Sequence, residues 1–145
     1  MGERLRQVRY DENVAVAHQD ERRIIYDPDK IFDNLDGLFC QHNVIAISQN
    51  GLELGNHYHD YKELFFTPTG EFDFRLVDID DLATRKYTLK AGDRLLIPEG
   101  IGHVATGKIG NVLIGYGNVR FNPKRLIPCS KEALETLARM DSKSF

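Results

Sequence analysis

The chain has 145 residues, of which 41% are hydrophobic and 28% charged, and its 19 basic and 22 acidic side chains leave a net charge of -3. This length suits one domain with a single sizeable core, and the acidic balance excludes the basic footprint that nucleic-acid binding needs. No apolar run approaches the roughly 20 residues of a membrane helix, so we expect a cytoplasmic protein with no nucleic-acid and no membrane partner.

Short strand-like runs fill most of the chain, and glycine or proline separates them at nearly every junction. A turn with one helical turn is expected at DPDKIFDNL (27–35), because Pro28 suits the first helical position. In chain order the runs are NVAVA (13–17), RRIIY (22–26), LFCQHNVIAIS (38–48), KELFFTP (62–68), GEFDFRLVDID (70–80), RKYTL (85–89), DRLLIP (93–98), GHVAT (102–106) and NVLIGYGNVRF (111–121).

Two of these predicted strands allow a more detailed prediction. The VIAI stretch within 38–48 predicts a strand that is buried on both faces. In 70–80, Phe72, Phe74 and Leu76 alternate with charged residues, and the phase slips at Leu76–Val77, which indicates a β-bulge.

The tail SKEALETLARM (130–140) predicts the chain's one helix. Ser130 is a suitable N-cap, Glu132 lies in the first turn, and the apolar residues recur at helical spacing. Many short strands with turns between them favour a sandwich or a barrel.

The residues with chemical potential fall in two segments. The first is Gly51-x5-His57-x-His59-x3-Glu63-x6-Gly70, and the second is Gly92-x5-Pro98-x-Gly100-x2-His103-x3-Gly107. Side chains two apart on a strand point to the same face, so His57 and His59 share one space while Tyr58 points away. Glu63 can reach that side after a turn, and barrel closure must bring His103 in from a distant strand.

Three imidazoles and one carboxylate are typical ligands of zinc, iron, manganese or nickel. We therefore expect one divalent transition metal ion, bound by His57, His59, Glu63 and His103. Four protein ligands leave one or two positions open when the ion is five- or six-coordinate, which is what a catalytic metal requires.

Both segments resemble the two motifs of the cupin superfamily. They match all five fixed positions of the first motif and four of five in the second, where Gly107 replaces an asparagine with a structural role. The resemblance implies an all-β, cupin-type double-stranded β-helix (jelly-roll) barrel. The resemblance covers residues 51–107, and the strand pattern extends the barrel core to about 38–121. We expect one domain over residues 1–145, with N-terminal strands at 13–26 before this core and a short C-terminal helix at 130–140 after it.

Three functions remain open. GNHYHDYKELFF resembles the cupin domains of capsular-polysaccharide epimerases, although their gap between the second histidine and the glutamate is longer, and NPKRLIPCSKEAL resembles sugar 3,4-ketoisomerases. This resemblance implies an isomerase or epimerase of a keto-sugar nucleotide, with no match for its proton-moving residue. The alternatives are an iron-dependent dioxygenase of a small molecule and a non-catalytic metabolite-binding cupin.

Several further residues are weaker candidates. Strand alternation does not decide whether Tyr61, Arg75 and Tyr116 line the barrel mouth, and structural roles are favoured; His42 is expected to face away from the cavity. A nucleotide-sugar substrate requires a cation for its diphosphate, and the candidates are Arg75, Arg94, Arg120, Lys124 and Arg125. We expect a homodimer, in which NVAVA is suited to pairing with a second copy.

Overall fold

The computed structural model describes residues 3–37, 39–51, 53–119 and 126–141. Its one α-helix is α1 (Lys131–Asp141), and short 3-10 turns lie at Leu5–Gln7 and Pro28–Phe32. In chain order the strands are β1 (Arg9–Asp11), β2 (Val16–Gln19), β3 (Ile24–Tyr26), β4 (Gln41–Ala46), β5 (Glu53–His59), β6 (Glu63–Thr69), β7 (Glu71–Asp78), β8 (Thr84–Lys90), β9 (Arg94–Ile97), β10 (Ile101–Gly107), β11 (Val112–Gly117) and β12 (Leu126–Pro128).

Two five-stranded sheets form the barrel. The first, the β6 sheet, has the order β1-β9-β6-β11-β4, and the second, the β5 sheet, has the order β12-β5-β10-β7-β8. All of their strand pairs are antiparallel. From β4 to β12 the chain changes sheet at every step except β7–β8. Both motif segments, β5–β6 and β9–β10, therefore contribute to both sheets.

The main apolar core lies between the two sheets. Phe65 of the β6 sheet and Phe74 of the β5 sheet meet with their ring centroids 5.1 Å apart. Each fully buried side chain of this size stabilises the fold by about 1.5–3 kcal/mol. The same cluster includes Phe72, Leu76, Leu89, Leu95, Ile97, Ala105 and Leu113.

The predicted C-terminal helix is present and packs on the outer face of the β5 sheet. Its Ala133 and Leu137 bury Val77 of β7, and the Arg75 guanidinium donates to the Leu137 carbonyl at 2.6 Å. This packing explains the phase slip at Leu76–Val77. The predicted bulge is wrong, because β7 keeps an unbroken register with both neighbours; the outer face there is apolar because α1 covers it.

The VIAI stretch is not buried on both faces. Val44 is 72% exposed, since β4 lies at the end of the β6 sheet and pairs with β11 in the described part of the chain. Ile45 packs on the main core and Ile47 is buried in it. The apolar run therefore buries one side only, the side that faces the barrel interior.

NVAVA is largely not a strand. Asn13 and Ala15 have positive φ values of 51° and 69°, and β2 begins only at Val16 and pairs with β3 in a separate hairpin. The expected homodimer and the assignment of residues 1–145 to one domain stay predictions. Among the described residues, no helix has the length and apolar character needed to cross a membrane.

A candidate active site inside the barrel

Strands β5 and β10 place three histidines at one end of the barrel interior. His57 and His59 lie on β5, and His103 of β10 pairs directly with His57. Tyr58 points the other way and packs against the cluster beneath α1. The predicted alternation on this strand and the long-range pairing to His103 are therefore both present.

A β-bulge at Gly55 and Asn56 interrupts the pairing of β5 with β10 just before His57. His103 pairs with His57 but Val104 pairs with Gly55, so Asn56 is the extra residue. Gly55 has a φ of 117° and Asn56 one of 63°. A Cβ atom on Gly55 would lie 2.4 Å from the His103 carbonyl oxygen, so only glycine allows the two strands to approach this closely.

Glu63 reaches the histidines from the opposite sheet. It begins β6 and pairs with Gly117 and Ile97. Its Oε1 lies 3.1 Å from His59 Nε2 and 3.4 Å from His103 Nε2. The carboxylate thus contacts two imidazoles at once, and these contacts link the two sheets at this end of the barrel.

The three imidazoles pack edge to face. Ring centroids are 4.7 Å apart for His57 and His59 and 4.9 Å for His57 and His103. One nitrogen from each ring lies within 4.8 Å of one from each of the others, and Glu63 is not part of this group. The four predicted residues are therefore neighbours, but only the histidines converge on one point.

The histidines differ in burial. His59 and His103 are 5% and 3% exposed, whereas His57 is only half-buried and borders the cavity. Burial lowers the pKa of His57 and lowers that of His103 to about 4. Both rings are therefore neutral at pH 7. His57 is the one of the three with an accessible face, and in the neutral form it can accept a proton.

Glu63 remains ionised. Burial alone would raise its pKa, but the His59 ring beside it and the neighbouring His103 and His57 outweigh this effect and hold the pKa below its usual value. Several buried atoms still have no well-aligned hydrogen bond among the described residues: both nitrogens of His59, Nδ1 of His103 and Oε1 of Glu63. Buried polar atoms of this kind are costly to leave unpaired, and a polar ligand would satisfy them.

These shifts predict that the protein loses stability as the pH falls below about 6.5. Unfolded histidine protonates near its ordinary pKa of 6.5, while folded His103 stays neutral down to about 4, so the unfolded state binds more protons across this window. Glu63 adds a loss in the same direction at lower pH, because its folded pKa is also lowered. Denaturant unfolding at several pH values measures this loss. The unfolding free energy of the His103→Gln variant should fall less with decreasing pH than that of the wild type. An unfolding free energy that is constant or rises toward about pH 5 would contradict the assignment.

The cluster opens into a cavity of about 170 Å³. Tyr61 also borders it, which the alternation of strand residues did not reveal because Tyr61 lies on the turn between β5 and β6. Arg75, Tyr116 and His42 do not border it: His42 is exposed and rests on the Tyr116 ring. The other lining residues are Asn43, Ile45, Leu54, Gly55, Phe65, Ala105, Leu113 and Gly117.

The two candidate phosphate-binding arginines that the structure describes have structural roles. Arg75 contacts Glu53 and the helix carbonyl of Leu137. Arg94 donates to Asp11 at 2.8 Å and to the Ile31 carbonyl at 2.9 Å. Arg120, Lys124 and Arg125 lie outside the described residues, and no lysine or arginine borders the cavity in the part that is described.

No protein-family model and no curated protein matches the sequence, but solved structures share its fold. A dTDP-4-dehydrorhamnose 3,5-epimerase from Bacillus anthracis, with TDP and pyrophosphate bound, aligns over 82% of this chain and 76% of that chain, with a TM-score of 0.68 and 17% identity. A 3,4-ketoisomerase from Helicobacter canadensis aligns over 89% and 97%, with a TM-score of 0.70 and 15% identity. A sugar 3,4-ketoisomerase from Thermoanaerobacterium thermosaccharolyticum in complex with TDP aligns over 92% and 96%, with a TM-score of 0.67 and 12% identity.

These likenesses confirm the predicted fold, an all-β cupin-type barrel with a short C-terminal helix. The prediction of a resident divalent metal ion is wrong: the ligands given in the names of the neighbouring structures are TDP and pyrophosphate, and of the four predicted metal ligands only the three histidines converge on one point. The physical reason for the wrong prediction is that motif spacing indicates only which side chains point into the barrel. That orientation is the same whether the imidazoles hold an ion or move protons, and here Glu63 contacts two of them directly.

Proposed function

We propose that this protein is an isomerase or epimerase of a keto-sugar nucleotide and that His57, His59, Glu63 and His103 form its proton-transfer site. The observation that carries the proposal is a half-buried, neutral imidazole, His57, at the wall of a cavity of about 170 Å³. The shared fold with sugar-nucleotide epimerases and ketoisomerases supports the reaction class.

The reaction needs one proton removed from carbon and one returned. His57 takes the proton from the carbon next to the ketone, and the released electron pair forms a carbon–carbon double bond while the ketone oxygen becomes an enolate. Return of a proton to the opposite face of the same carbon gives the epimer. For the isomer, the hydroxyl proton on the neighbouring carbon moves to the enolate oxygen, the carbon-bound proton returns to the former carbonyl carbon, and the ketone is left on the neighbouring carbon.

The other three residues hold the His57 ring in place and stabilise its protonated form. Glu63 contacts His59 and His103, and both rings pack edge-on against His57 at 4.7 and 4.9 Å. This packing fixes the His57 ring before substrate arrives, so the ring loses less orientational freedom on reaching the transition state. A negative carboxylate behind the rings also stabilises the positive charge that His57 gains when it accepts the proton.

The size and lining of the cavity indicate which part of a nucleotide sugar it holds. Its volume lies below the roughly 300–1,000 Å³ of sites for drug-sized ligands, so it accommodates a sugar ring and not a whole nucleotide sugar. Its described lining combines apolar side chains with the histidines, Tyr61, Glu63 and Asn43, and it carries no lysine or arginine. The ring therefore enters the barrel, and the diphosphate and nucleoside remain outside it.

Turnover of a TDP- or UDP-linked 4-keto sugar tests the proposal. Product with an inverted ring carbon or a moved ketone is the expected result, followed by NMR as substrate signals are replaced. If the nucleotide sugar raises the melting temperature but is recovered unchanged, the protein is a binding module. If it is neither bound nor converted, the proposed function is wrong.

Metal removal separates this account from a metal-dependent one. Protein purified with EDTA is expected to hold far less than one divalent metal ion per chain and to keep its full rate of turnover. Elemental analysis and the rate before and after dialysis measure both. Loss of turnover on chelation, with recovery on adding zinc, iron, manganese or nickel, would contradict the proton-transfer role. The dioxygenase alternative needs a redox-active metal, and no observation favours it.

A further inference from the structure

Tyr61 stands between two spaces at the open end of the barrel. It is 8% exposed and borders the barrel cavity. On its other side is an outer groove of about 240 Å³. Of the residues that the structure describes, Tyr61 alone borders both spaces; the groove is also lined by Gln7, Asp60, Lys62, Pro98, Glu99, Asn118 and Val119.

The turn that carries Tyr61 is held on both sides. Before it, the His59 carbonyl accepts a hydrogen bond from the Gly100 amide at 3.0 Å. After it, the Lys62 amide donates to the Asn118 side chain at 3.0 Å, and the Asn118 amide donates to the Lys62 carbonyl at 3.3 Å. The tyrosine ring also packs on the His59 ring, with centroids 4.5 Å apart. These contacts make it a preorganised wall.

We propose that Tyr61 is a specificity-determining residue, whose ring limits the size of the sugar substituent that faces it. This inference rests on the proposed function and names the substrate class further: a keto sugar that presents a hydrogen, hydroxyl or methyl group at this wall. A bulkier acetamido group would meet the tyrosine ring, which cannot move without breaking its packing on His59. Removing the ring joins the cavity to the outer groove and makes room for that group.

The test compares two nucleotide-linked 4-keto-6-deoxy sugars, one with a hydroxyl and one with an acetamido group on the ring. The ratio of kcat/KM, acetamido over hydroxyl, is measured for the wild type, Tyr61→Phe and Tyr61→Ala. We expect this ratio to rise by about 10-fold or more in the alanine variant, which is the discrimination that pocket shape supplies for small groups. Tyr61→Phe keeps the ring, so its ratio should match the wild type.

Lys62→Ala is the matched control. Lys62 is exposed, lies on the same turn and borders only the outer groove, so its ratio should stay unchanged. Should Tyr61→Ala fail to fold, Tyr61→Leu keeps apolar cover over His59 while shortening the wall, and its ratio should also rise.

The outcomes separate this inference from the proposed function. If the wild type converts the hydroxyl sugar and the ratio is unchanged in Tyr61→Ala or Tyr61→Leu, the role of Tyr61 is wrong and the function stands. A ratio that rises equally in Lys62→Ala or Tyr61→Phe also overturns the role. If the wild type neither binds nor converts either sugar, both proposals fall.

Discussion

Replacing His57 with asparagine is expected to slow turnover of a keto-sugar nucleotide by about 10²–10⁴-fold, the usual contribution of a general base. Asparagine keeps a polar group of similar reach but cannot accept a proton near neutral pH. His57 is only half-buried and borders the cavity, so the melting temperature should change little. Initial rates by NMR and thermal unfolding measure the two effects on the same protein.

His42→Asn is the control for this change. His42 is another histidine on a strand, but it is exposed and lies outside the cavity lining. Its replacement should leave the rate unchanged. Equal rates for wild type and His57→Asn would remove His57 from the proton-transfer role, and equal loss in both variants would point to a general effect of losing a histidine.

Gly55→Ala is expected to lower both stability and turnover. Its Cβ atom would lie 2.4 Å from the His103 carbonyl oxygen, at a φ of 117°. Backbone strain together with overpacking predicts a loss of about 2–4 kcal/mol in the free energy of unfolding. Because β5 and β10 must separate, His57 and His103 move apart, and a displacement of about 1 Å costs about 10²-fold in rate. Denaturant unfolding and initial rates check the two parts.

Gly110→Ala is the matched control for the backbone strain. Gly110 also has a positive φ, 90°, but an added Cβ there meets nothing within 4 Å. It should lose only about 1–2 kcal/mol from the strained backbone and keep its rate. If Gly55→Ala is no worse than Gly110→Ala in either measure, the close approach of the two strands does not position the site.

The predicted histidine cluster follows from simple strand geometry. His57 and His59 are two apart on β5, so one orientation of the strand points both into the barrel, and their shared face was predictable from spacing alone. The partner strand was predictable only through the motif resemblance, because His103 lies far along the chain and pairs with His57 through the barrel.

Other features depend on contacts that spacing does not report. The bulge at Gly55 and Asn56 arises where β10 approaches β5, and the motif pattern has no fixed position there. Tyr61 lies on a turn, where alternation gives no direction for a side chain. Arg75 binds the Leu137 carbonyl of α1, and Arg94 binds Asp11 of β1. The residue pattern within a single strand cannot reveal contacts with such distant parts of the chain.

Solvent deuterium exchange tests directly whether this site moves a proton on and off a carbon beside a ketone. EDTA-treated protein is incubated with a TDP- or UDP-linked 4-keto sugar in deuterated water, with His57→Asn in parallel. We expect deuterium at the carbon next to the carbonyl for the wild type and almost none for His57→Asn above the background without protein. A bound sugar that gains no deuterium, or equal exchange by the two proteins, would contradict the proposed proton transfer.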